Sequence, residues 1–188
     1  MNASRFKFFR TRFRTAIILL AFCFAPVCAV RAQVMDDKEA KLKTAFVLKF
    51  ALYVEWPQDT FGSPTNPIVF GVFGRDPFGP TFDATMQGQT LDKHPVEVRH
   101  PRNLTEALEC HVLFISASER DRLRTLVPRL RTRPILTVSD MDGFAALDGM
   151  IGLKRKQGAM RFDINRHAAE AAGLKISSKL LNLADELK

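Results

Sequence analysis

Three groupings in this sequence are of the kinds that do covalent or ligand chemistry. Near the C-terminus, Ser177 and Ser178 stand beside Lys179 in GLKISSKLLNLADELK. A lysine activates a serine only where burial or a neighbouring charge strips its proton. The surroundings are those of a surface helix start, where nothing forces that. Gly173 suits the end of the preceding helix, because it tolerates a left-handed backbone. Ser177 or Ser178 suits the N-cap of the next, accepting a bond from an orphan amide. The second grouping, Gly71-Val72-Phe73-Gly74, follows an apolar run but continues into Asp76 and Pro77. It lacks the GxGxxG and GxxxxGK[ST] patterns that cradle phosphate, and Asp76 would repel one. The third comprises Asp76, Ser116 and Asp140, each just after an apolar run. Open α/β sheets bind ligands at the carboxyl ends of their strands, so these three form a candidate ligand pocket. Their alternative reading is solvated turns and caps.

Other chemistry lacks its spacing. His94, His100, His111 and His167 form no HxxxH, and no CxxC is present, so no metal site and no cofactor is expected. Ser116 lies in FISASER, without the glycines of a nucleophile elbow. No catalytic residue is assigned.

The elements that must position these residues read in order along the chain. DDKEAKLKTAFVLKFALYVEWP predicts one long helix, stopped at Pro57. NPIVFGVFG, HVLFIS and RPILTVSD are continuous apolar runs, as expected of strands buried on both faces. HPVEVRH alternates as a further strand, and RDPFGPTFDATMQG supplies a loop and a short helix. NLTEALE predicts a short helix capped by Asn103 with Glu106 at the capping-box position. ASERDRLRTLVPRL predicts a helix capped by Ser118. MDGFAALDG is a turn with a brief helical piece. MIGLKRKQ and AMRFDIN flank Gly158 as an antiparallel hairpin at a sheet edge. NRHAAEAAG and SSKLLNLADELK complete the chain as helices. The fold class is therefore α/β: a three-layer sandwich whose mixed, largely parallel sheet is Rossmann-like without a nucleotide motif. It closes with a C-terminal hairpin and helices.

Residues 1–32 read as a signal peptide, the alternative being an uncleaved anchor, for which the apolar run is short. A basic start, MNASRFKFFRTRFR, precedes the apolar TAIILLAFCFAPVCAV and a cleavage-like Val30-Arg31-Ala32. The whole chain carries 28 basic and 20 acidic residues, but six of the basic ones lie in this segment. Residues 33–188, expected as a single exported domain, hold 22 basic against 20 acidic, which leaves little excess for a nucleic-acid footprint. Cys110 is the only cysteine of that domain. Beside HVLFIS it reads as a buried free thiol. The alternative is a crosslink between two chains.

Partner-binding candidates come from the residue types that interfaces favour, aromatics and arginines. They are Tyr53 and Trp56 at the end of the first helix, Phe61 in the next loop, and Arg120 and Arg124 of the series 120, 122, 124, 129, 131 and 133. Their alternatives are an amphipathic core stripe for the aromatics and a solvated basic face for the arginines.

FDINRHAAEAAGLKISSKLLNLA resembles the C-terminal signature of the YfiR-like family of exported bacterial proteins. KTAFVLKFALYVEWP, IVFGVFGRDPFG, CHVLFISASE, ILTVSDMDGFA and LDGMIGLKRKQGAMRFDIN are similar, in order, to the family's other motifs. The resemblance spans about residues 40–187. It implies a periplasmic α/β sandwich, often a homodimer, without catalysis. The best-understood members repress a membrane diguanylate cyclase, so the resemblance implies a role of that kind, acting through cyclic-di-GMP on biofilm formation. An envelope lipoprotein that sequesters the repressor is a second implied partner. Better-known relatives carry intramolecular disulfides, which Cys110 alone cannot form. The other readings are a periplasmic small-ligand sensor and an envelope-protein accessory factor.

Overall fold

The computed structural model describes residues 25–63 and 65–188, with side chains from residue 37. The expected signal peptide lies outside the described residues up to position 24. Two units divide the chain, 1–39 and 40–188, and the second carries every strand of the α/β fold.

Helix α1 runs Ala25–Leu52. In the second unit its buried side is Ala40, Thr44, Val47, Phe50 and Ala51, the three- and four-residue spacing of one helical face. The helix ends before the predicted stop at Pro57. Pro57 would clash with the carbonyl four residues back, that of Tyr53. That carbonyl instead accepts from Ser177 N–H at 2.9 Å. Val54–Glu55 becomes strand β1, antiparallel to β9, Lys175–Ile176.

The main sheet contains β2 (Ile68–Phe73), β3 (Thr90–Leu91), β4 (His94–Arg99), β5 (Val112–Ile115), β6 (Leu136–Ser139), β7 (Ile151–Lys156), β8 (Ala159–Ile164) and β10 (Glu186–Leu187). Its order is β10-β8-β7-β6-β5-β2-β4-β3. The β7–β8 hairpin and the β3–β4 pair are antiparallel; the other pairings are parallel. This is the mixed, largely parallel sheet expected. The hairpin is not at the edge, because β10 adds outside β8. Only α6, Ser178–Leu181, forms in the tail predicted as one helix. Leu183 and Leu187 are consequently exposed.

Alternating side chains divide the interior into two cores. Phe70, Val72, Phe114, Val138, Leu153 and Phe162 face α1, α2 (Pro80–Met86) and α5 (Arg166–Ala171). Val69, Leu113 and Ile115 face α3 (Leu104–Ala107) and α4 (Leu123–Leu130). Gly71 allows this second layer to approach: a Cβ there would lie 2.6 Å from Cys110 Sγ and 2.9 Å from Leu113 Cδ1.

Caps follow the sequence with one exception. Asn103 accepts from Glu106 N–H at 3.0 Å, and Ser177 caps α6 by accepting from Leu180 N–H at 3.4 Å. The helical stretch after β5 is capped by Ser116, not Ser118, and begins as a 3-10 turn, Ala117–Arg122. Ser118 Oγ instead accepts from Arg75 N–H at 2.9 Å, tying the β2 loop to this turn. Buried Asn165 fixes the closing hairpin. It accepts from Ala168 N–H at 2.9 Å and donates to the Ala145 carbonyl at 3.0 Å.

Candidate functional site

The parallel strands β2, β5 and β6 place the loops of Asp76, Ser116 and Asp140 at one end of the sheet. Each side chain serves local architecture. Asp76 accepts from Phe78 N–H at 2.7 Å, closing the turn into α2. Ser116 is buried and accepts from Ser118 N–H at 3.4 Å. Asp140 forms an ion pair with Lys43 of α1 at 2.7 Å, with side chains 19% and 14% exposed. A cavity of about 330 Å³ is lined in part by Gly74, His100, Arg102, Glu119 and Arg122, and none of Asp76, Ser116 and Asp140 belongs to its lining.

Ser177 is occupied as a cap, and Ser178 and Lys179 are exposed. Cys110 is 2% exposed, and burial pushes its thiol up to about 12, so the thiolate needed for crosslinking is suppressed.

The three aromatic candidates separate. Tyr53 is exposed in the turn just after α1, beside Leu52. Trp56 and Phe61 are half-buried, their rings 5.4 Å apart. Phe61 also packs 4.8 Å from His94 and 4.9 Å from His111. His111 Nδ1 accepts from Val69 N–H at 2.9 Å, and the ring also bonds the Thr60 backbone. Burial holds its pKa below the ordinary histidine value. This cluster pins the loop between β1 and β2.

The arginines define the most site-like surface. Arg120, Arg124, Val127 and Arg131 fall on one side of the helical stretch, three or four residues apart. They face loop 142–149 across a groove of about 590 Å³. At one end Arg120 Nη1 donates to the Asp142 carbonyl at 3.2 Å. At the other, Arg131 Nη2 donates to the Asp148 carbonyl at 3.0 Å and lies 3.3 Å from its carboxylate. Leu147, 41% exposed, belongs to the opposite wall. Arg122 is turned away, paired with Glu119 at 2.8 Å and stacked 5.8 Å from the Phe73 ring centre. Sequence reasoning found the arginines but missed Leu147, because the loop that carries it has no periodicity. The helical spacing of Arg120, Arg124 and Arg131 was the available signal.

Acidic Asp163, Asp185 and Glu186 offer ligand atoms within 4.8 Å of one another. Lys154 Nζ already lies among them, at 2.7, 2.9 and 3.5 Å. The lysine supplies the positive charge that a metal would.

Among the described residues, no helix is long and apolar enough to cross a membrane. A solved structure of a conserved domain protein from Vibrio cholerae O1 biovar El Tor is similar over 65% of this chain. It shares 10% identity at a TM-score of 0.48, and 55% of its own length is covered. No curated protein matches the sequence. The model of the YfiR/HmsC-like family matches residues 40–185, nearly all of the α/β unit. The chain belongs to the YfiR/HmsC-like family.

Proposed function

We propose that this protein is a periplasmic, non-enzymatic regulator that binds and represses a membrane signalling protein, a diguanylate cyclase. Through that contact it controls cyclic-di-GMP and biofilm formation. The observation that carries this reading is the family match over residues 40–185. The chemistry of the surface supports it: Ser116 and Ser177 act as caps, Asp76 closes a turn, Asp140 is paired with Lys43, and Ser178 and Lys179 are exposed. The exposed features are of the binding kind, an arginine-lined groove and the Leu52–Tyr53 end of α1. A homodimer and a sequestering envelope lipoprotein belong to the same proposal. The direct test is binding between the exported protein and the purified periplasmic portion of a membrane diguanylate cyclase encoded in the same genome. Saturable binding that lowers cyclase activity in reconstituted membranes supports the reading. A complex with no effect on cyclase activity removes repression from it.

A further inference from the structure

The groove beside α4 combines four properties. It is preformed, because Arg120 and Arg131 bind loop carbonyls at its two ends. The loop is held in shape from within: Phe144 is buried, and a Cβ on Gly149 would lie 2.2 Å from the Phe144 ring. Its lining includes apolar Leu123, Val127 and Leu147, the last well exposed.

Charge is the third property. Residues 119–133 contain six arginines against two acidic residues, whereas the rest of 33–188 holds 16 basic and 18 acidic. The positive excess of that span is thus concentrated on this one helical stretch. The groove also includes Asp121 and Asp148, and Asp148 is engaged by Arg131. Arg124 stands midway with no ion-pair or hydrogen-bond partner among the described residues, its planar fork available to a carboxylate. The fourth property comes from Pro128 inside α4. It has no N–H, so the Arg124 carbonyl loses its helical donor on the groove side.

We propose that this groove docks an acidic segment of a protein partner. The segment inserts an apolar side chain against Leu147, Leu123 and Val127, and its carboxylates meet Arg124 and the flanking arginines. A backbone N–H of the segment can satisfy the Arg124 carbonyl. This rests on the partner-binding reading above and adds the location and chemistry of the contact. Arginine is among the residue types enriched at interfaces and at their hot spots.

The test is fluorescence anisotropy with a short labelled peptide carrying leucines between glutamates, titrated with the purified exported protein. Saturable binding is expected, about tenfold weaker for Arg124→Glu and for Leu147→Asp. Arg129→Glu, outside the groove, should leave it unchanged, and a peptide with glutamines for glutamates should not bind. Arg124 is exposed, and a melting curve checks that its variant folds. Equal weakening by Arg129→Glu, equal binding of the glutamine peptide, or no binding overturns the proposal. Binding to phosphatidylglycerol vesicles that Arg124→Glu abolishes, without peptide binding, overturns it in favour of a lipid surface. In cells the two readings separate. If deletion of the gene raises cyclic-di-GMP but an Arg124→Glu copy represses fully, the groove assignment fails and the regulator stands. If deletion changes nothing while the peptide binds as described, the regulator reading fails and the groove stands.

Discussion

Lys43 of α1 and Asp140 after β6 meet at 2.7 Å, 97 residues apart in sequence and both largely out of solvent. The pair fastens the first helix to the strand end that the sequence marks as a ligand edge. Removing the carboxylate leaves an ammonium with one fewer partner in a poorly solvated position. Asp140→Ala should therefore destabilise the fold by about 2 kcal/mol, less than the ~3–5 kcal/mol for breaking a fully buried pair, because both side chains keep some contact with solvent. Denaturant unfolding checks this. A loss within error of zero would return Asp140 to the candidate ligand residues.

His111 gives stability a pH dependence. Its folded-state pKa lies below the ordinary value of 6.5 through burial, so near and below that value the unfolded chain binds more protons. Stability then falls as pH drops through the unfolded pKa, with a slope of at most about 1.4 kcal/mol per pH unit from this group. Protonation also places a hydrogen on Nδ1, which now accepts from Val69 N–H. Comparison of the protein with His111→Gln by urea unfolding between neutral pH and about pH 5.5 should show a shallower slope for the variant. Identical slopes would remove His111 as the source.

Lys154 substitutes for a cation. Bonds from Lys154 and then Lys156 hold the Asp185 pKa down at about 2. Their support is present above the ordinary carboxylate range and is lost as pH falls through the folded value. In Lys154→Ala the three carboxylates lose their shared counter-charge, and oxygen ligands so close together suit calcium. The variant's melting temperature should rise in millimolar calcium while that of the parent stays constant. A variant indifferent to calcium would show that the carboxylates separate once the lysine is gone.

Gly71 and Cys110 should behave as a coupled pair. Gly71→Ala forces a methyl toward Cys110 Sγ and Leu113, an overpacking worth about 1–3 kcal/mol. Cys110→Ala in the same chain should recover part of that loss, because it vacates the nearer contact. Additive losses would show that Leu113 alone sets the limit. The native thiol should also resist thiol reagents at pH 8 until denaturant is added.

Legibility followed the range of the forces involved. Strands β2, β5 and β6 announce themselves as apolar runs because burial on both faces demands one, and the hairpin around Gly158 is specified within a few residues. Asn103 and Ser177 were readable as caps because a cap bonds its own neighbours. The end of α1 was not, because β1 exists only through pairing with β9, whose Lys175 also meets Glu55 from 120 residues away. The final strand β10 was hidden likewise: it forms by joining β8, against the local helical pattern. Ser116 and Ser118 are equally plausible caps by composition, and only the approach of Arg75 N–H distinguishes them. The groove was half legible: helical spacing aligns its arginines, but Leu147 needed the loop's path.

The proposed repression of a membrane cyclase from the periplasm has a decisive measurement. It is cyclic-di-GMP in cells with and without this gene, complemented by a full copy or by one lacking residues 1–32. A repressor acting in the periplasm predicts a rise on deletion that only the exported copy reverses. Unchanged cyclic-di-GMP across growth conditions, or reversal by the copy that stays inside, would contradict it.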